Sequence, residues 1–381
     1  MPTPGRKKLK LLALKLAALA GALLVCFLAL EASLRLFWRP ATFRIDHRRY
    51  RPEPWPYSFR FTPDQTITVP IPEVEGGELK IELNHHGFRG PDIDDVARQR
   101  VRIVSIGDSF TFGWGLKDFT DQCVVGFVDA YHRLHPQADV GLAVVAEPGW
   151  GVSDYLFAYL EFARRVRPQL VIVGFFCGDD IASTGTIASI GAGRPPDKPW
   201  SQSRSWLHSA TLDWIRAQIR GSPNLTKLVL ALGVRPSSEL IRFLRSEPPP
   251  IPDMWRETFT ILGTLNAEVR RDGGRLVIIS YPSLVQVFAH QQLDDARFDY
   301  RHIDERLAAF CREHDIVFVP FLPALIADGK LDLYFAKDRH LTPRGQRLCR
   351  DVLIEKLSPV LDELVSRSAG RPEAPPATGN R

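Results

Sequence analysis

The residues best suited to chemistry lie in one short run, Gly107-Asp108-Ser109-Phe110-Thr111-Phe112-Gly113, directly after the apolar segment Val101–Ile106. A serine just past a strand, in a tight glycine-bounded turn, is held up and exposed, as a nucleophile must be. A serine hydroxyl is a poor nucleophile until a base takes its proton. Far along the chain stands Lys337-Asp338-Arg339-His340-Leu341-Thr342. His340 is the natural base, because imidazole changes charge near neutral pH. Asp338 can accept the other ring N–H, fix the tautomer and stabilise the imidazolium as it forms. The developing oxyanion needs preorganised donors. The backbone N–H groups of Ser109 and of Gly149, in Glu147-Pro148-Gly149-Trp150-Gly151, suit that role, since glycine lets the backbone approach closely.

These residues need a scaffold that gathers them. Short apolar runs at 101–106, 140–146, 170–176, 275–280 and 316–320 read as strands. Helical patterns fall near 121–134, 153–166, 253–272, 300–313 and 343–365. Such alternation predicts a five-stranded parallel sheet covered on both faces, a three-layer α/β/α sandwich. In open parallel sheets, ligands bind beyond the carboxyl ends of the strands. Asp108-Ser109, Glu147–Gly151 and Cys177-Gly178-Asp179-Asp180 all follow strands, so the fold would bring them to one edge with Asp338 and His340.

Upstream, Leu11–Leu30 is apolar enough, and about the 20 residues long enough, to cross a bilayer. Lys15 can snorkel, and Phe37 and Trp38 suit an aromatic belt. A cleaved signal peptide is the competing reading, but Glu31 interrupts the exit and no small-residue cleavage pattern follows. Leu-Leu-Val before Cys26 lacks the small residues of a lipoprotein signal. The reading adopted is an uncleaved anchor, with residues 1–38 as basic tail and transmembrane helix. Arg6, Lys7, Lys8 and Lys10 favour a cytoplasmic N-terminus, although Arg35, Arg39, Arg44, Arg48 and Arg49 nearly balance them. The body is then periplasmic or at the cell surface. Residues 39–100 read as a lead-in with short strands, 101–367 as the main domain with an insertion at about 182–252, and 368–381 as a disordered tail. The insertion reads equally as a lid or as a helical ornament.

The net charge of +5 is local. Arg6, Lys7, Lys8, Lys10 and Lys15 account for it, and the remaining body is near neutral, which excludes a basic nucleic-acid footprint. Cys26, Cys123, Cys177, Cys311 and Cys349 have no paired metal-ligand spacing, and no disulfide pairing can be chosen. His85 with His86, and His132 with His135, read as surface or structural residues rather than metal ligands. Asp108 and Asp180 read as braces of their turns, Arg89 as a structural contact, and Trp114 and Trp150 as either pocket lining or packing.

Four blocks in order then resemble the SGNH/GDSL hydrolase superfamily: GDSFTFG its first, PGWG its second, GDDI its third and DRHLTPRG its last. The segment NHHGFRG at 84–90 is similar to a lead-in of membrane-anchored bacterial members. The resemblance implies a flavodoxin-like SGNH fold and places the oxyanion hole at Ser109, Gly149 and Asp179. It covers roughly residues 80–360 outside the insertion. One departure matters. The family's third block normally presents an asparagine, whose amide donates to the oxyanion, and Asp179 stands there. An ionised carboxylate donates nothing. Either Asp179 is protonated, or two backbone donors suffice, or another residue stands in. The Asp-x-His spacing also departs from Asp-x-x-His, and resembles polysaccharide acetyltransferase relatives.

The expected function is a serine esterase or deacetylase acting on an O-acyl ester of an envelope or extracellular glycan. It calls for no cofactor and no metal. An O-acyltransferase that moves acetyl groups to polysaccharide is the alternative. A non-catalytic glycan-binding or assembly module is the second, motivated by Asp179.

Overall fold

In a computed structural model of the chain, the five apolar runs form one parallel sheet. The structure describes residues 4–37, 50–51, 60–182, 186–191, 209–232, 240–292 and 295–369. Trp38, Arg39, Arg44, Arg48, Arg49, much of the lead-in and insertion, and the tail from 370 onward lie outside the described residues.

Two short antiparallel pairs come first: β1 (Tyr50–Arg51) with β2 (Arg60–Phe61), and β3 (Thr66–Pro70) with β4 (Glu78–Glu82). The main sheet holds β5 (Val101–Gly107), β6 (Val140–Ala146), β7 (Leu170–Phe176), β8 (Arg275–Tyr281) and β9 (Val317–Pro320). Its order is β6-β5-β7-β8-β9. The helices are α1 (Pro4–Phe37), α2 (Ile93–Val96), α3 (Ser109–Phe112), α4 (Cys123–Leu134), α5 (Val152–Glu161), α6 (Thr186–Gly191), α7 (Ala210–Gly221) and α8 (Pro223–Ala231). They continue as α9 (Ile251–Arg271), α10 (Leu284–Gln292), α11 (His302–Glu313), α12 (Leu322–Asp328) and α13 (Pro343–Ala369).

Strand side chains alternate in direction, and both faces are dry. Ile103, Leu170, Ile172, Val277 and Ile279 join Phe127, Leu325, Leu353 and Leu357 in one core, under α4, α12 and α13. Val104, Val171, Val173 and Ile278 are also fully buried, and α5 packs on α9 and both on the sheet. Burial on both faces is why these strands read as continuous apolar runs. Fully burying one such side chain stabilises the fold by about 1.5–3 kcal/mol.

The described residues divide into two compact units. One comprises α1, α7 and α8. Within it the Glu31 carboxylate accepts from Ser209 Oγ (2.8 Å) and from the N–H groups of Ala210 (2.8 Å) and Thr211 (2.9 Å), which caps α7. In α1, Ala13–Phe37 is long and apolar enough to cross a membrane. The other unit holds the sheet and its helices.

Candidate active site

Register explains why the candidate residues meet. Gly107 at the end of β5 pairs with Ala146, the last residue of β6, and with Gly174 of β7, which runs on to Phe176, so the carboxyl ends of three parallel strands lie at one edge. The turns that follow carry Asp108-Ser109, Glu147–Gly151 and Cys177–Asp180. Gly107 is needed by space: a Cβ there would lie 2.1 Å from Thr111 Oγ1. Asp108 then caps α3, its Oδ1 accepting the Phe110 N–H at 2.9 Å. That cap places Ser109 in the first helical turn.

The last block arrives from the far end of the chain. Tyr334 and Leu341 form an antiparallel bridge, and the Phe335 N–H donates to the His340 carbonyl at 2.9 Å. Within this closed turn, His340 Nδ1 lies 2.5 Å from Asp338 Oδ1, and His340 Nε2 lies 2.7 Å from Ser109 Oγ. Ser109, His340 and Asp338 are thus one hydrogen-bonded chain across 231 residues of sequence separation. Ser109 is buried at 7 % exposure rather than exposed, and the Phe110 ring packs 4.9 Å from the His340 ring that contacts it. Burial opposes ionisation of Asp338, yet the charge and hydrogen bond of His340, with the Trp114 N–H, hold it below the ordinary carboxylate range. It is therefore a carboxylate when the imidazole takes a proton.

Two residues that orient Asp338 escaped the sequence. Trp114 Nε1 donates to Asp338 Oδ2 at 3.3 Å, so this indole serves the acid as well as the packing. Glu73, between β3 and β4, accepts the N–H groups of Lys337 (3.0 Å) and Asp338 (2.7 Å). No local pattern around Glu73 announces this, since the partner lies 265 residues away.

Gly149 adopts φ 82°, a left-handed conformation that only glycine takes readily, in the turn where the Trp150 N–H donates to the Glu147 carbonyl at 3.2 Å. Asp179 is exposed and paired with Arg242, whose Nη2 lies 3.1 Å from Asp179 Oδ1. The Nη1 of the same guanidinium is buried without a hydrogen-bond partner. Asp180 is the buried member of this pair of acids. It accepts Tyr155 Oη (2.7 Å) and the Phe176 N–H (2.6 Å), bracing the turn. Burial and then the charge of Asp108 push its carboxyl well up. Asp108 is raised too, mainly by burial.

Arg89 is buried and donates to the carbonyls of Gly113 (2.7 Å) and Leu116 (2.7 Å), holding the turn after α3. Cys123, Cys177, Cys311 and Cys349 are buried free thiols. His85 and His86 are not isolated histidines. The turn that follows them brings Asp92 and Asp94 against both rings. Six to nine residues separate the partners, so no short sequence motif announces the cluster.

Comparison with known proteins matches residues 105–348 to the model of the GDSL-like lipase/acylhydrolase family. No curated protein matches the chain. Among solved structures, a psychrotrophic esterase from Pseudoalteromonas sp. is similar at 13 % identity and TM-score 0.39, covering 68 % of this chain and 98 % of its own. A lipolytic protein of the G-D-S-L family from Veillonella parvula is similar at 16 % identity and TM-score 0.35, covering 66 % and 96 %. An acetylxylan esterase from Geobacillus stearothermophilus is similar at 12 % identity and TM-score 0.41, covering 67 % and 93 %.

Proposed function

Because the chain belongs to the GDSL-like lipase/acylhydrolase family and is an ester-hydrolysing enzyme, we propose that it is a membrane-anchored serine deacetylase acting on O-acyl groups of an envelope or extracellular glycan. The observation that carries the chemistry is the chain of contacts from Ser109 Oγ through His340 to Asp338, at 2.7 Å and 2.5 Å.

Ser109 Oγ attacks the acyl carbonyl while His340 Nε2 takes its proton. Asp338 holds the ring by Nδ1–H and stabilises the imidazolium. The tetrahedral oxyanion is received by the N–H groups of Ser109 and Gly149. His340 then protonates the leaving sugar oxygen, leaving an acyl-serine. Water, deprotonated by the same imidazole, releases the acid and restores the serine.

Asp179 takes the place of an amide donor, and its pairing with Arg242 supports a specific compensation. The guanidinium cancels a carboxylate that would otherwise repel the oxyanion. The hole then works with two backbone donors beside a neutralised pair.

The glycan assignment rests on the apolar helix α1, which would tether the enzyme at a membrane. The basic residues Arg6, Lys7, Lys8 and Lys10 support a cytoplasmic N-terminus and an extracytoplasmic domain. Incubation with an O-acetylated polysaccharide tests the reading. Acetate release by the native chain and not by Ser109→Ala is expected. Release by both, or by neither while the fold is intact, would contradict it. Acetyl groups appearing on an added acceptor glycan instead of as free acetate would make the enzyme a transferase.

A further inference from the structure

The loop between β4 and β5 gathers four side chains that ester chemistry does not use. We propose that His85, His86, Asp92 and Asp94 form a binding site for one divalent transition-metal ion of the zinc type.

The four side chains lie close enough to share one ion. One potential ligand atom from each of the four residues lies within 4.8 Å of the others. His86 Nε2 is 3.3 Å from Asp92 Oδ1 and 3.6 Å from Asp94 Oδ2, and His85 Nε2 is 3.4 Å from Asp94 Oδ2. Tetrahedral ligation at ordinary zinc bond lengths sets ligand atoms about 3.3 Å apart.

His86 Nε2 is buried and makes no hydrogen bond in spite of those two nearby oxygens. A paired imidazole and carboxylate aim at each other. His86 Nε2 therefore has two carboxylate oxygens beside it and no hydrogen bond that would compete with an ion for its lone pair. His85 meets the same two carboxyl groups, its Nδ1 against Asp92 Oδ2 and its Nε2 toward Asp94.

The frame is built before any ion arrives. Asn84 Oδ1 accepts the N–H groups of His86 and Phe88, both at 3.0 Å, and Asn84 Nδ2 donates to the Pro91 carbonyl at 3.1 Å. One side chain therefore ties the histidine turn to the start of the aspartate turn. Asp92 also caps α2. Two imidazole nitrogens with two carboxylate oxygens suit zinc and its neighbours, whereas magnesium and calcium prefer all-oxygen shells.

The role is structural. The same loop carries Arg89, which holds the carbonyls of Gly113 and Leu116 behind α3. An ion clamping residues 85–94 stiffens the support of the nucleophile's turn without touching the reacting atoms. This inference stands whether or not the glycan reading does.

The full chain in detergent, stripped with chelator and titrated with Zn²⁺ by calorimetry, tests it. One equivalent should bind at least tenfold more tightly than Mg²⁺ or Ca²⁺, and Tm should rise with free zinc. Asp94→Asn alters an exposed side chain and should keep the metal-free Tm while weakening zinc at least tenfold. His86→Gln should do the same. Co²⁺ in place of zinc should give the visible absorption of a four-coordinate site in the native chain and lose it in either variant. Absence of a saturable equivalent, or unchanged affinity in both variants, would overturn the proposal.

Discussion

At the residue scale, activity depends on which groups share protons and charge with Ser109. Ser109→Ala and His340→Ala should each lower kcat by about 10⁴-fold or more, leaving folding intact, because the members of such a unit fail together. Asp338→Asn should cost about 10⁴-fold, since the ring would lose its tautomer control. Initial rates on an activated acetyl ester read all three. Asp179 offers a prediction of opposite sign. Asp179→Asn removes a negative charge and supplies an amide donor at the position where the family resemblance implies an asparagine. An oxyanion donor is worth about 10²–10³ in rate, so kcat should rise by at least about tenfold. Arg242→Gln, which leaves the Asp179 carboxylate uncancelled, should lower it. A fall in kcat for Asp179→Asn in a folded protein would remove the carboxylate from the oxyanion site.

Elements decide whether those groups stay in place. The β3–β4 hairpin looks peripheral, yet Glu73 at its tip fixes the backbone of Lys337 and Asp338. Glu73→Ala should reduce kcat by about tenfold with little change in KM, and Glu73→Gln should recover most of the loss by keeping one acceptor oxygen. Arg89 does the equivalent for the turn after α3. Arg89→Ala leaves the buried carbonyls of Gly113 and Leu116 without donors and should cost about 2–4 kcal/mol in denaturant unfolding. These elements also mark what could be read in the sequence. The strands β5 to β8 were legible because both faces are buried and their composition says so, and the edge strand β9 because its short run is still apolar. Ser109, His340 and Asp338 were legible because each sits where a strand or a last-block turn ends. Glu73, the Trp114–Asp338 bond and the His85–Asp94 cluster were not. Each depends on a meeting of turns whose geometry leaves no periodic trace in the chain.

Across the whole molecule, buried carboxyl groups set a dependence of stability on pH. Burial pushes Asp304 up to about 6 and raises Glu147 and Asp180 well above the ordinary range. A raised folded pKa means the unfolded chain releases its proton first as pH rises. The stability each group adds is present below its unfolded pKa and is lost as pH rises through the folded one. Tm should therefore decline as pH is raised from about 4 through 6 and on toward 8, and Asp304→Asn should flatten the lower part of that decline. A Tm that climbed steadily over the same range would contradict the assignment. The central claim is that this fold exists to present an activated Ser109. Covalent labelling of the purified full chain with a fluorophosphonate, read by intact mass and peptide mapping, tests it most directly. The native protein should take up one adduct on Ser109, Ser109→Ala none, and His340→Ala should react far more slowly. Folded native protein that remains unlabelled, or an adduct that persists in Ser109→Ala, would contradict the account.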